Sequence, residues 1–118
     1  MSELVACLST GKGTWGHVNR LIQDGNWDKI FLITNEFGKE NFSKNEKSEF
    51  VVVNQSQGIK ELRDEIIEKL KGKIKEPEVS VNMVSGTGKE HTALVSALLK
   101  LGTGIRFVSL TKEGVEEL

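Results

Sequence analysis

The sequence predicts an α/β domain built on a doubly wound parallel sheet of five strands, order 3-2-1-4-5, with helices on both faces. Three observations predict it. Five short runs rich in Val, Ile and Phe, at residues 4–8, 29–34, 49–54, 78–84 and 105–110, mostly lack polar alternation. Near-continuous apolar strands of this kind belong to parallel sheets covered on both faces. Stretches of helical period lie between the runs, and a glycine-rich turn follows the first and the fourth run, each just before a helix. A chain of 118 residues is expected to form one domain spanning 1–118.

After the first strand, residues 15–23 carry Val18, Leu21 and Ile22 at helical spacing. After the second, residues 36–48 are polar and rich in Lys, Glu and Asn, which predicts a long loop with one helical turn near residues 39–42. Residues 59–71 set Ile59, Leu62, Ile66 and Leu70 on one side and charges on the other, an amphipathic surface helix. The charge-rich stretch 60–75 is read as its solvated face. Pro77 precedes the fourth strand, where a missing N–H is tolerated. Residues 90–101, with Ala93, Leu94, Val95, Ala97, Leu98, Leu99 and Leu101, keep little polar face. Such a helix is covered on two sides, by the sheet and by either a partner subunit or a neighbouring helix of the same chain. Gly102-Thr103-Gly104 ends it, and the tail is expected to add one helical turn at 113–118.

Right-handed crossovers make strands one and four neighbours from which the chain winds in opposite directions. Ligands bind at this switch point, above the carboxyl ends of the strands. Both glycine turns leave those two strands, so topology brings them to one crevice.

Composition narrows what they hold. The net charge is −1, with 28% charged residues, so no general pull toward duplex nucleic acid or a membrane is expected, and any nucleotide site must be local. The single cysteine, Cys7, excludes an internal disulfide and fits a reducing interior. No apolar run approaches about 18 residues and the N-terminus lacks signal-peptide features, so the chain is read as cytoplasmic. No His/Cys/Asp cluster has metal-ligand spacing, and neither a metal nor a cofactor is expected.

Gly11-Lys12-Gly13-Thr14-Trp15-Gly16 fits the G-x-G-x-x-G fingerprint of dinucleotide sites in its strand-to-helix setting, and Glu36 stands where a ribose-binding acid belongs. Lys12 and the bulky Trp15 depart from the small residues usual there. The segment is not a P-loop, because His17 and Val18 replace the Lys and Ser/Thr of that motif. Ser85-Gly86-Thr87-Gly88-Lys89-Glu90-His91 is the sharper signal. Its glycines free backbone N–H groups, Ser85 and Thr87 add hydroxyls, Lys89 can neutralise a phosphate, and Glu90 suits a first helical turn. The plain alternative is a tight turn with an ordinary cap. Trp15 either stacks on a base or covers the helix start. Thr34, Asn35 and Glu36, at the end of strand two, border the same crevice. Asn82 is expected to be hydrogen-bonded in the core and to help position the loop above it.

Three of these places, Leu8-Ser9-Thr10-Gly11 through Trp15, Ile33-Thr34-Asn35-Glu36, and Ser85 through His91, together resemble the CARF family, the CRISPR-associated Rossmann-fold sensors of cyclic oligoadenylates. The resemblance spans essentially the whole chain. The family's usual fourth-strand pattern has consecutive glycines before a Thr-Lys pair, whereas here Thr87 separates Gly86 from Gly88. The resemblance implies a Rossmann-like homodimer with a two-fold axis through the ligand site, and a cyclic oligoadenylate lying across both subunits' turns. Thr10, Gly11, Lys12, Gly13, Thr14, Trp15, Thr34, Asn35, Glu36, Ser85, Gly86, Thr87, Gly88, Lys89 and His91 would bind it.

Family members often carry an effector domain. The chain would then be a sensor working with other chains, a stand-alone ring nuclease, or a domain of a longer protein. Ring cleavage would need no metal: a ribose 2′-hydroxyl attacks the adjacent phosphate and leaves a 2′,3′-cyclic phosphate. Lys89 would stabilise the developing charge with Lys12 as second cation, and Ser9 or Thr10 would position the phosphate or the 2′-hydroxyl. His17 and His91 would be candidate proton carriers. Two alternatives stand beside this: a nicotinamide dinucleotide-binding domain, oxidoreductase or regulatory, using Gly11, Gly13, Gly16 and Glu36, and an interaction module dimerising through its third long helix.

Overall fold

A computed structural model describes residues 2–8 and 11–118. Six strands, β1 (Glu3–Cys7), β2 (Lys29–Thr34), β3 (Ser48–Val52), β4 (Glu78–Asn82), β5 (Gly104–Thr111) and β6 (Gly114–Glu117), form one sheet in the order β3-β2-β1-β4-β5-β6. The first five are parallel in the expected order, and β6 adds an antiparallel edge beside β5. The helices are α1 (Trp15–Asp24), α2 (Glu36–Asn41), α3 (Ile59–Leu70) and α4 (Gly88–Lys100).

Side chains alternate between the two faces of the sheet. Val5, Cys7, Phe31, Ile33, Val79 and Val81 pack under α3 and α4, against Leu62, Ile66, Leu94 and Leu98. Leu4, Ala6, Ile30 and Leu32 pack under α1, against Val18, Leu21 and Ile22. Every residue of β1 is buried, as a central strand requires. Each such aliphatic side chain contributes roughly 1.5–3 kcal/mol on burial, so packing, not intrinsic helix preference, holds these helices. The apolar sides of α4 are covered by the sheet and by α3 of the same chain, while Leu99 stays 64% exposed.

Two expectations needed correction. Residues 113–118 form no helical turn. Gly114, at φ +105°, reverses the chain, and the Thr111 hydroxyl donates to the Gly114 carbonyl (3.2 Å), closing a β5–β6 hairpin. A ladder with β5 satisfies backbone groups that a single isolated turn would leave open. The loop after β2 holds a full helix, α2, which begins at Glu36, before the single turn expected near residues 39–42. Asn35 caps it by accepting from the Gly38 N–H (3.0 Å). Gly38 is needed there, because a Cβ would fall 1.9 Å from the Thr34 hydroxyl oxygen.

Smaller shifts have local causes. β4 stops at Asn82 because its side chain takes the Val84 N–H (3.3 Å) and turns the chain. At the opposite end of the sheet, the buried Glu3 carboxylate accepts from the N–H groups of Lys75 (3.0 Å) and Glu76 (2.9 Å), pinning the α3–β4 connection.

Candidate functional site

β1 pairs with β4 in parallel, Leu4 with Ser80, Val5 with Val81 and Ala6 with Asn82, so both glycine turns rise from the same end of adjacent strands. The second turn folds back over the first strand: a Cβ on Gly86 would lie 3.3 Å from that of Cys7. Burial pushes the Cys7 thiol up to about 12, helped by the nearby Glu90 charge, so it is a packed thiol and not a nucleophile.

The second turn is built by its own side chains. Asn82 is fully enclosed and donates to the Val108 carbonyl (3.0 Å) while holding the Val84 N–H, as the sequence suggested. Ser85 is buried, and its carbonyl accepts from His91 Nε2 (2.8 Å), which fixes the proton on that nitrogen. Gly86 takes φ +108°. Thr87 then caps α4 in a reciprocal box: its hydroxyl accepts from the Glu90 N–H (3.3 Å), and the Glu90 carboxylate accepts from the Thr87 N–H (2.9 Å). α4 therefore starts at Gly88, two residues before the expected Glu90. Among the described residues, the N–H groups of Gly88 and Lys89 have no hydrogen-bond partner and stand in the first turn of the helix, at its positive end. Lys89 is half-buried and donates to the Gln57 carbonyl (2.7 Å). An ammonium has three donors, so two remain for an anion.

The first turn is different. Lys12–Thr14 form one turn of 3₁₀ helix running into α1, with no side-chain cap at either junction. Gly11, Gly13 and Gly16 are exposed, and among the described residues no atom beyond their neighbours and the local helix backbone comes within 4 Å of a Cβ placed on any of them. The Lys12 ammonium lies 5.9 Å from the ring centroids of both Trp15 and Phe37. Trp15 is buried, edge-on to Phe42 at 5.5 Å and tilted against Phe37 at 6.0 Å. Of the two readings of Trp15, the structure shows the covering one. His17 Nε2 faces two donors, the Asn82 amide (3.4 Å) and the Leu110 N–H (3.5 Å). Ser9 and Thr10, proposed as catalytic and binding residues, lie outside the described residues.

At the end of β2, Thr34 is fully buried and donates to the Leu8 carbonyl (3.2 Å), so its hydroxyl ties two strands together. Asn35 donates to Gln55 Oε1 (2.9 Å) besides capping α2. Glu36 is exposed in the first turn of α2.

Beside it opens a cleft of about 590 Å³ at the carboxyl ends of β2 and β3, bordered by Asn35, Glu36, Phe37, Gln55, Glu65 and Lys69 among others. The last four escaped the sequence reading. Glu65 lies in a stretch read as solvated, yet it accepts from the Asn54 N–H (3.0 Å), the Gln57 amide and Lys69 (3.3 Å). Partial burial raises the affinity of this carboxyl for its proton, but those three donors outweigh it and hold the pKa below the usual glutamate value. The β3–α3 loop is thereby tied to α3 through Glu65, to β2 through Asn35 and to the second glycine turn through Lys89.

Among the described residues no three His, Cys, Asp or Glu side chains converge as metal ligands, and no helix is long and apolar enough to cross a membrane. Comparison with known protein families and with curated proteins finds no match to this sequence. The fold defines the class: a Rossmann-like α/β domain with two glycine turns at its switch point.

Proposed function

We propose that the chain binds a cyclic oligoadenylate through its phosphates at the paired glycine turns, as a CARF-like receptor in CRISPR signalling. The observation that carries this reading is the β1–β4 pairing, which sets the two turns side by side at one end of the sheet. The second turn offers what a phosphate needs: two N–H groups without a partner among the described residues, a helix N-terminus and an ammonium with donors to spare. The reading places the protein in the cytoplasm as a homodimer, with the ligand on the two-fold axis.

Cleavage of the ring draws on the same groups. In-line attack by a 2′-hydroxyl on the adjacent phosphorus would break its bond to the 5′-oxygen, which leaves as a hydroxyl with the proton that the 2′-hydroxyl gives up, and Lys89 with the Gly88 and Lys89 N–H groups would stabilise the charge that develops on the phosphate oxygens.

Incubation with radiolabelled cyclic tetra-adenylate in EDTA, followed by filter retention and product resolution, tests both steps. Retention is expected, and a product ending in a 2′,3′-cyclic phosphate would mark the chain as a ring nuclease. Lys89→Ala should lower affinity at least tenfold with unchanged circular dichroism. No retention of any cyclic oligoadenylate, beside a thermal shift with NAD, would replace this reading with the dinucleotide one. A monomer by light scattering would remove the two-fold site.

A further inference from the structure

We propose that the cleft at the carboxyl ends of β2 and β3 is a nucleobase pocket that takes an adenine between the Phe37 ring and the β3–α3 loop. The proposal rests on the reading above only for the ligand's being a nucleotide.

Charge decides what the cleft can hold. Its walls carry two carboxylates, Glu36 and Glu65, against one ammonium, Lys69, which is already engaged by Glu65 and the Val52 carbonyl. A phosphate entering there would meet net negative charge. An uncharged group bearing hydrogen-bond donors would not. The cleft's volume of about 590 Å³ falls within the range of small-ligand sites.

The walls also supply a flat face and a polar edge. Phe37 is 41% exposed on the rim of this cleft, and an exposed aromatic face is where a base stacks. Asn35 donates to Gln55 Oε1, which orients that amide and leaves Nε2 as a donor. The Glu36 carboxylate has no hydrogen-bond partner among the described residues and is an acceptor. Adenine presents the matching pair, an N6 amine donor beside a ring-nitrogen acceptor. Guanine offers a comparable pair through N1–H beside O6, so these walls recognise a donor beside an acceptor on a base edge.

The pocket is held open before ligand arrives. Glu65 fixes the loop through the Asn54 N–H and the Gln57 amide, and Lys89 fixes it again through the Gln57 carbonyl. The first glycine turn lies close by, with the Lys12 ammonium 5.9 Å from the Phe37 ring centroid. A base on Phe37 and a phosphate near Lys12 would thus share one wall.

Adenosine itself is the probe, since it carries no phosphate and needs neither glycine turn. Titrated into isotopically labelled protein, it should give saturable amide shifts confined to Asn35, Glu36 and Phe37 and to Asn54, Gln55 and Ser56. Phe37→Ala should abolish the shifts, and Glu36→Gln should weaken them several-fold; both positions are exposed. Absence of saturable shifts, or shifts unchanged in both variants, would overturn the pocket. Adenosine binding without cyclic tetra-adenylate binding would sink the proposed function and leave the pocket, and the reverse pattern would do the opposite.

Discussion

The two glycine turns stand on neighbouring strands and share a composition, yet they are held in opposite ways. The second is locked from within: a left-handed glycine, a reciprocal cap between Thr87 and Glu90, and a histidine bonded to the Ser85 carbonyl. Among the described residues the first has no capping side chain, and Trp15, one residue beyond it, is sunk into the α1 face of the core. One turn is thus specified by hydrogen bonds and backbone geometry, the other by packing. Substitutions that attack each kind of support separately can break or sharpen this contrast.

The largest effect is expected on the packed side. Trp15→Ala removes a buried indole wedged between Phe37 and Phe42 and should cost about 3–5 kcal/mol in urea unfolding. That is a large share of the 5–15 kcal/mol typical of a folded domain. Trp15→Phe should recover much of it, because the ring contacts are partly kept. A loss below about 1 kcal/mol would show that the first turn stands without its anchor.

On the hydrogen-bonded side the expected maximum is smaller. Gly86→Ala forces a side chain onto φ +108°, with its Cβ 3.0 Å from both Glu90 Oε1 and His91 Nε2 and 3.3 Å from the Cys7 Cβ. Strain and crowding should together cost about 2–3 kcal/mol. Thr87→Ala removes only the cap and should cost about 1 kcal/mol, with Thr87→Ser restoring most of it. If Thr87→Ala proves the costlier of the two, the cap and not the glycine fixes this turn.

The same contrast explains what could be read from the sequence. The strand order was legible because apolar runs and helical periods are properties of local sequence, and right-handed crossovers then leave one arrangement of strands 1 to 5. The second turn was legible because its glycines and its Thr87–Glu90 pair lie within a few residues of one another. The hairpin at Gly114 was not, since four residues with one apolar side chain, Val115, carry too little pattern, and only pairing with β5 decides their state. α2 was hidden in a polar stretch whose one helix signal, Asn35 before Glu36, was read as a crevice border. The cleft was least legible. Glu65 faces the β3–α3 loop and not water because of where that loop packs, and no spacing in a charge-rich helix marks which carboxylate will do so. Thr34 shows the reverse: it stands at the right strand end, but its hydroxyl is consumed by Leu8.

The smallest effect on folding carries the sharpest test of the comparison. No described atom outside the immediate neighbourhood crowds a Cβ on Gly13 or Gly16, and neither has a positive φ. Gly13→Ala and Gly16→Ala should therefore shift unfolding by no more than about 0.5 kcal/mol, or stabilise slightly by restricting the unfolded chain. Nothing in the fold then demands glycine there, in contrast to Gly86. On the proposed reading, a glycine that the fold does not need leaves room for a phosphate to approach the backbone closely. Both variants should accordingly keep their urea midpoints while losing cyclic tetra-adenylate affinity by tenfold or more. Full affinity in both would confine the phosphate to the second turn and reduce the first to a connection between β1 and α1.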